Sequence, residues 1–313
     1  MSRHETGTPL KVGVIKFASC DGCQLALLGL GPLLLELGQR FEIVEFGEAS
    51  SNRSDGPYDL VLVEGSVSTP QHIEHIRELR ARTTLLVAIG ACATSGGIQA
   101  LRGWVAGDGV AASVYPRPEE VPSLATATPI SDFVTVDAEL RGCPIDGGQL
   151  TELLIALSVG RRPQIPDEAV CAACKRAGCV CVLVVRGEPC LGPITFSGCG
   201  ALCPTYGRGC YGCFGLRENA NVESLARGMA VRGLSEPEIA RRLSGFTAWM
   251  PALRAAITAR GGPPGFPVYP PTQAVAPSAG PTAPGAAAAG ETAPARTGVA
   301  LEPDEGKSHG RNA

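Results

Sequence analysis

The stretch Lys11-Val-Gly-Val-Ile-Lys-Phe-Ala-Ser-Cys20-Asp-Gly-Cys23 decides how the first half of the chain is read. Residues 11–17 are a short apolar run with β-branched side chains, which predicts a buried strand running straight into Cys20. A helix is expected from about Gln24, with a break at Gly31-Pro32, because proline fits a first helical turn and can open a second piece. The same alternation continues along the chain. Strands are expected at 41–46, 59–64 and 84–90, with a weaker one at 133–136. Helices are expected at 70–82, 95–101 and 147–157. Strands alternating with helices imply an α/β domain, a parallel sheet covered on both faces. Sites in such sheets gather at the carboxyl ends of the strands. Cys20, Cys92 and the Glu64-Gly65-Ser66 loop all stand at expected strand ends, so they converge although far apart in sequence. That convergence groups Cys20 and Cys23 with Cys92 and Cys143.

Beyond this domain the composition changes. Residues 161–166, Arg-Arg-Pro-Gln-Ile-Pro, read as a linker. Residues 171–215 are rich in Gly, Pro and Cys and poor in periodic apolar residues, too little core to fold without metal. Helices return between 219 and 260, where Ser235 and Glu238 form a capping-box pattern. Residues 262–313 are dominated by Pro, Ala, Gly and Thr and are expected to be disordered. The chain therefore divides into 1–165, 166–261 and 262–313.

At 313 residues, with 44% apolar and 18% charged residues, the chain suits a folded soluble protein with one large core and a smaller second domain. A net charge of −3 and 5% aromatic residues give no case for nucleic acid or an anionic membrane as partner. No apolar run approaches the roughly 20 residues needed to cross a bilayer. The first residues show no secretory or twin-arginine signal, so a cytoplasmic location is expected. In that compartment thirteen cysteines point to metal rather than to structural disulfides.

Twelve of the thirteen cysteines sort into three sets of four. The first is Cys20, Cys23, Cys92 and Cys143; the other eight are Cys171, Cys174, Cys181, Cys190, Cys199, Cys203, Cys210 and Cys213. Four thiolates are what a [4Fe–4S] cluster requires, and three such sites would make an electron relay. Cys20 and Cys23 flank a turn at the expected amino end of a helix, where free N–H groups favour thiolate. Gly22, Gly90 and Gly142 leave the backbone free to come close to the group held. A lone Cys-x-x-Cys also fits a thioredoxin-like dithiol, but the separate Cys92 and Cys143 argue against that reading. All-cysteine zinc sites use the same pairs and remain a rival for the second domain. The spacing does not reveal which of the eight cysteines share a cluster. Cys179 fits no set of four and reads as a non-ligand thiol.

Four segments, Cys20-Asp-Gly-Cys23, Val63-Glu-Gly-Ser66, Gly90-Ala-Cys92 and Arg141-Gly-Cys143-Pro144, resemble the small subunit of [NiFe] hydrogenases. The run from Cys190 through Cys199, Cys203 and Cys210 to Cys213 resembles the delta subunit of cytoplasmic, NADP-reducing hydrogenases of the sulfhydrogenase type. The resemblance spans roughly residues 10–260. It implies a flavodoxin-like first domain followed by a small ferredoxin-like iron–sulfur domain. Cys20, Cys23, Cys92 and Cys143 would be ligands of a proximal [4Fe–4S] cluster, and the later eight would hold medial and distal clusters. It further implies that Glu64 lies near the proximal cluster, as a subunit-contact or proton-path residue, or as a carboxylate capping the next loop.

No catalytic residue of hydrogen chemistry is expected in this chain. The resemblance places the Ni–Fe centre on a large-subunit partner. FAD and NADP would sit on iron–sulfur and flavin/NAD(P)-binding diaphorase subunits, since no Gly-x-Gly-x-x-Gly with a following acid occurs here. The alternatives are a small subunit serving another acceptor, such as deazaflavin or heterodisulfide reductase, and a zinc-binding scaffold. His72 and His75, three apart, read as a solvent-exposed helix face rather than a metal pair. Trp104 and Trp249 read as packing or interface residues.

Overall fold

The apolar run around Val12 forms β1 (Leu10–Lys16) in a computed structural model that describes residues 9–104 and 109–262. β1 pairs with β2 (Phe41–Phe46) on one side and β3 (Tyr58–Glu64) on the other; β4 (Thr83–Ile89) and β5 (Ala138–Leu140) extend the sheet beyond β3. Every pairing is parallel, in the order β2-β1-β3-β4-β5. That is the doubly wound, flavodoxin-like order, and it bears out the α/β expectation. The winding changes direction between β1 and β3, so their carboxyl ends open a crevice into which the Cys20 and Glu64 loops emerge.

Period-two alternation supplies both cores. Val12 and Val14, Leu60 and Leu62, Val87 and Ile89 point to one face. There they meet Leu27 of α1 (Gly22–Leu28), Leu37 of α2 (Pro32–Leu37) and Leu150, Leu153 and Leu154 of α6 (Gly147–Ser158). Ile15, Val61, Val63, Leu86 and Ala88 point to the other face, against Ile76 and Leu79 of α3 (Pro70–Ala81). Such residues are among the largest fully buried in the chain, each worth roughly 1.5–3 kcal/mol of transfer free energy. The break at Gly31 is present: its φ of 56° turns the chain, and Pro32 opens α2.

Two expected elements are corrected. No strand forms at 133–136, where Phe133, Val134 and Val136 instead cover the second core. Pairing starts only after Asp137, whose Oδ2 accepts the Leu86 N–H at 2.7 Å and an Arg80 Nη1–H at 2.9 Å. No helix spans 95–101 either. α4 (Gly90–Ser95) begins directly at the end of β4, and a 3₁₀ turn follows at Ile98–Trp104. The cause is Gly90, whose φ of 86° lets strand turn into helix with no loop between. A further short helix, α5 (Gly109–Val114), lies before β5.

Residues 161–166 are held down. Arg161 donates to both carboxylate oxygens of Glu152 at 2.6 and 2.7 Å, the Gln164 N–H reaches Glu152 Oε1 at 2.7 Å, and Ile165 packs on the first core. Next come α7 (Val170–Arg176), α8 (Val182–Val185) and α9 (Leu202–Thr205), short turns carrying cysteines. The core of this segment is thin and includes thiols: Val170, Val182, Cys190, Ala201 and Cys210. It leans on α10 (Val222–Val231), α11 (Glu236–Leu243) and α12 (Pro251–Thr258), whose Met229, Ile239, Leu243, Leu253 and Ile257 enclose Leu191, Ile194 and Leu216. The Ser235–Glu238 capping box is formed. The disorder expected for 262–313 falls almost wholly outside the described residues. Among those described, no helix is long and apolar enough to cross a membrane.

Candidate functional site

Glu64 closes β3 and is 2% exposed; its Oε1 accepts the N–H of Cys23 at 3.0 Å. This bond ties the end of β3 to the first turn of α1 and sets the Cys20–Cys23 loop over the crevice. Burial pushes the Glu64 carboxyl up, while the Cys23 N–H pulls the other way. Gly90 comes against the same loop, and a Cβ there would stand 2.5 Å from Cys23 Sγ. The Ala91 N–H donates to Gly142 O at 2.7 Å, bringing the turn that carries Cys143 beside α4, which carries Cys92. Cys92 therefore sits inside a helix rather than in a loop after a strand.

These contacts bring together all four thiols of the first set. Cys23 is pushed far up by burial, then by the Glu64 carboxylate and the thiolates of Cys92 and Cys143. Cys143 is pushed up to about 11 by burial and by Cys92 and Cys20. Cys92 rises through burial, opposed by Gln99 and reinforced by Cys20. Cys23, Cys92 and Cys143, held protonated by burial and by their neighbours, would become ligands if a metal supplied positive charge, releasing protons as it bound. The donor chemistry and the side-chain-free wall at Gly90 fit a [4Fe–4S] cluster.

In the second lobe, Cys171 and Cys174 lie three residues apart on α7. Cys171 is raised by burial and by Cys190 and Cys181; Cys174 is raised to about 11 by burial and then by Cys179, Cys171 and Cys181. The Cys210 N–H points at Cys190 Sγ at 3.2 Å. Cys203 is raised by burial and Cys199; Cys213 is raised to about 12 by burial, Cys199, Cys143 and Cys203. Two neighbourhoods emerge, one around Cys171 and one around Cys199 and Cys213, touching through Cys190 and Cys210. The second also reaches Cys143 of the first domain, whose backbone N–H supports the Cys213 thiolate. Among the described residues, no three His, Cys, Asp or Glu side chains close in tightly enough to hold one metal ion. A cubane spreads its thiolates over four irons and does not demand that closeness.

Cys179 lies beside Cys174, and its Sγ is 3.5 Å from Thr205 Oγ1. His72 is half-buried rather than on an open face. It meets Phe17 edge-on at 5.2 Å, and its Nδ1 accepts the Ser68 N–H. His75 is exposed, with its ring 5.3 Å from Phe17. Trp104 and Trp249 pack T-shaped at 5.0 Å and so serve internal packing. Two residues were not singled out from sequence. Gln99 donates to Ala18 O and Ser66 Oγ while its Oε1 lies 3.7 Å from Cys92 Sγ. Arg141 donates to Glu139 and to Leu216 O and stacks over Phe196. Its place before Gly142-Cys143 was the available signal.

Residues 20–157 match the family model described as the NADH ubiquinone oxidoreductase 20 Kd subunit. The chain is 39% identical over 241 residues to sulfhydrogenase 2 subunit delta of Pyrococcus furiosus, covering 77% of this chain and 100% of that protein. It is 31% identical to a subunit of the vhu F420-non-reducing hydrogenase of Methanocaldococcus jannaschii, covering 76% of this chain and 94% of that one. It is 27% identical to the NAD-reducing hydrogenase HoxS subunit delta of Cupriavidus necator, over 50% of this chain and 83% of that one.

Proposed function

This chain belongs to the family of hydrogenase small subunits, and from that premise we propose that it carries electrons between a Ni–Fe large subunit and an NAD(P)-linked diaphorase module. The supporting observation is continuity: Cys143 neighbours Cys213, and Cys190 neighbours Cys210, so the three sets adjoin one another in series. Bound [4Fe–4S] clusters would supply one-electron stations that no side chain here provides.

In this reading Cys20, Cys23, Cys92 and Cys143 hold the proximal group, Cys199, Cys203, Cys210 and Cys213 the medial one, and Cys171, Cys174, Cys181 and Cys190 the distal one. Glu64 fixes the proximal loop through Cys23. The exposed Leu25 and Cys20 offer the large subunit a contact face. FAD and NADP sit on the iron–sulfur and flavin-bearing diaphorase subunits, and the complex is cytoplasmic. The likeness to the NAD-reducing hydrogenase subunit supports the nicotinamide acceptor. The likeness to the F420-non-reducing hydrogenase favours a second reading, in which the acceptor is not a nicotinamide.

Anaerobic purification of the complex tests the relay. About twelve irons per chain with matching sulfide are expected from three four-iron groups. Zinc in place of iron would leave a scaffold and end the proposal. Cys20→Ala should abolish hydrogen-dependent NADP reduction, and full activity in that variant would remove Cys20 from the path.

A further inference from the structure

The cysteine lobe carries an apolar patch that its own core does not use. Val180, Val184 and Val185 on one segment are 64%, 70% and 67% exposed, and Leu202 and Tyr206 on another are 57% and 77% exposed. The two segments adjoin, because Arg186 Nη1 donates to Gly207 O at 3.3 Å and Cys179 Sγ meets Thr205 Oγ1 at 3.5 Å. Val182 of α8 and Pro204 of α9 already fill the interior, so the outward residues add nothing to it. Large apolar groups gathered in water mark a surface that something covers. Cys181, exposed at the start of α8, lies on the same segment between Val180 and Val182.

The edge of the patch is basic. Lys175, Arg186 and Arg208 are exposed and form no ion pair among the described residues, while Glu188 is the acid on this stretch. The chain as a whole has a net charge of −3, so this edge runs against the overall balance. An apolar centre with a charged border is the anatomy of a protein interface, and the border selects a partner of opposite sign. Two copies of this chain would set like charges against each other, which argues against self-association here.

We propose that this face, centred on Val184, Val185, Leu202 and Tyr206, seats the iron–sulfur subunit of the acceptor module, which meets Arg186 and Arg208 with acidic side chains. The inference rests on the electron-relay reading above, because the exposed Cys181 puts the last donor set at this surface.

The test uses the whole complex with Arg186→Glu/Arg208→Glu and, separately, Val184→Ser/Val185→Ser. Iron content and hydrogen-dependent viologen reduction should match those of the unaltered complex. The acceptor module should leave on gel filtration at low salt, with its dissociation constant raised about tenfold or more. Hydrogen-dependent NADP reduction should fall in parallel, and the unaltered complex should show the same loss as NaCl is raised. Retention of the module and of NADP reduction in both variants overturns the proposal. So does a change from dimer to monomer with the module still bound, which would make the face a self-contact. If the unaltered complex shows neither iron nor viologen reduction, the relay reading itself fails and takes this one with it.

Discussion

Replacing Gly90 by Ala should damage the first four-cysteine site in a way that can be separated from simple backbone strain. Two costs add. A non-glycine residue at φ 86° carries about 1–2 kcal/mol, the ordinary cost of the left-handed region. The new Cβ would also stand 2.5 Å from Cys23 Sγ, where ordinary carbon contacts are about 3.5–4.0 Å. The thiol must therefore retreat by about 1 Å, inside a wall where Cys23 is 6% exposed. Overpacking of that kind costs about 1–3 kcal/mol, for a total of about 2–5 kcal/mol. In a chain of this size that lowers the melting midpoint by roughly 4–20 °C.

Gly160→Ala is the control, since φ there is 68° and nothing lies within 4 Å of its Cβ. It should show only the first cost, roughly 2–8 °C. The assays are thermal denaturation and iron analysis on anaerobically prepared protein. Gly90→Ala should also lose about a third of the iron, the share of one four-thiol set in three. Full iron with a midpoint no lower than that of Gly160→Ala would refute the claim that Cys23 is positioned through Gly90.

Three further outcomes are expected. Glu64→Gln keeps an acceptor for the Cys23 N–H and should hold its iron, whereas Glu64→Ala leaves that N–H unmet and should lose about 1–2 kcal/mol together with part of the iron, as parallel melting and metal analysis would show. Arg141→Ala removes bonds to Glu139 and Leu216 and the stack on Phe196; it should cost about 2 kcal/mol in denaturant titrations, with Arg141→Lys recovering less than half. Burial holds the His72 imidazole below its usual 6.5, so the folded state binds fewer protons there than the unfolded state does. Its contribution is complete above 6.5 and is lost as pH falls through the folded value. Melting points of the parent and His72→Gln should therefore converge as pH drops from 8 to 5, and a constant gap would contradict that assignment.

The sheet was readable because each strand is a bounded apolar run that alternates between two covered faces. Residues 133–136 misled because an apolar run can cover a core without joining the ladder, and the anchor that starts β5 is the polar Asp137. The direct turn from β4 into α4 was hidden because it depends on the sign of φ at one glycine. The approach of Cys20 and Cys92 followed from the expected ends of β1 and β4, whereas Cys143 follows β5, whose position the sequence misplaced. The neighbourhoods of the later eight did not follow from strand ends, since they arise from folding back, as when the Cys210 N–H returns to Cys190. Gln99 and Arg141 act through the tertiary position of their neighbours, and no local pattern announces such roles.

The junction between the two cysteine regions has a kinetic consequence. Arg141 clasps Leu216 O, and a Cβ on Gly142 would press within 3.0 Å of the Phe214 ring. Cys143 and Cys213 follow and precede these clasped residues by one position each, so the gap between them is set by one hydrogen bond and one close packing contact. Tunnelling falls off exponentially with separation, so any charge passing here would cross a span of fixed width rather than ride on a swinging arm. Throughput would then be governed by energy levels and by how long outside carriers stay docked, and loosening this one joint would slow every turnover regardless of direction.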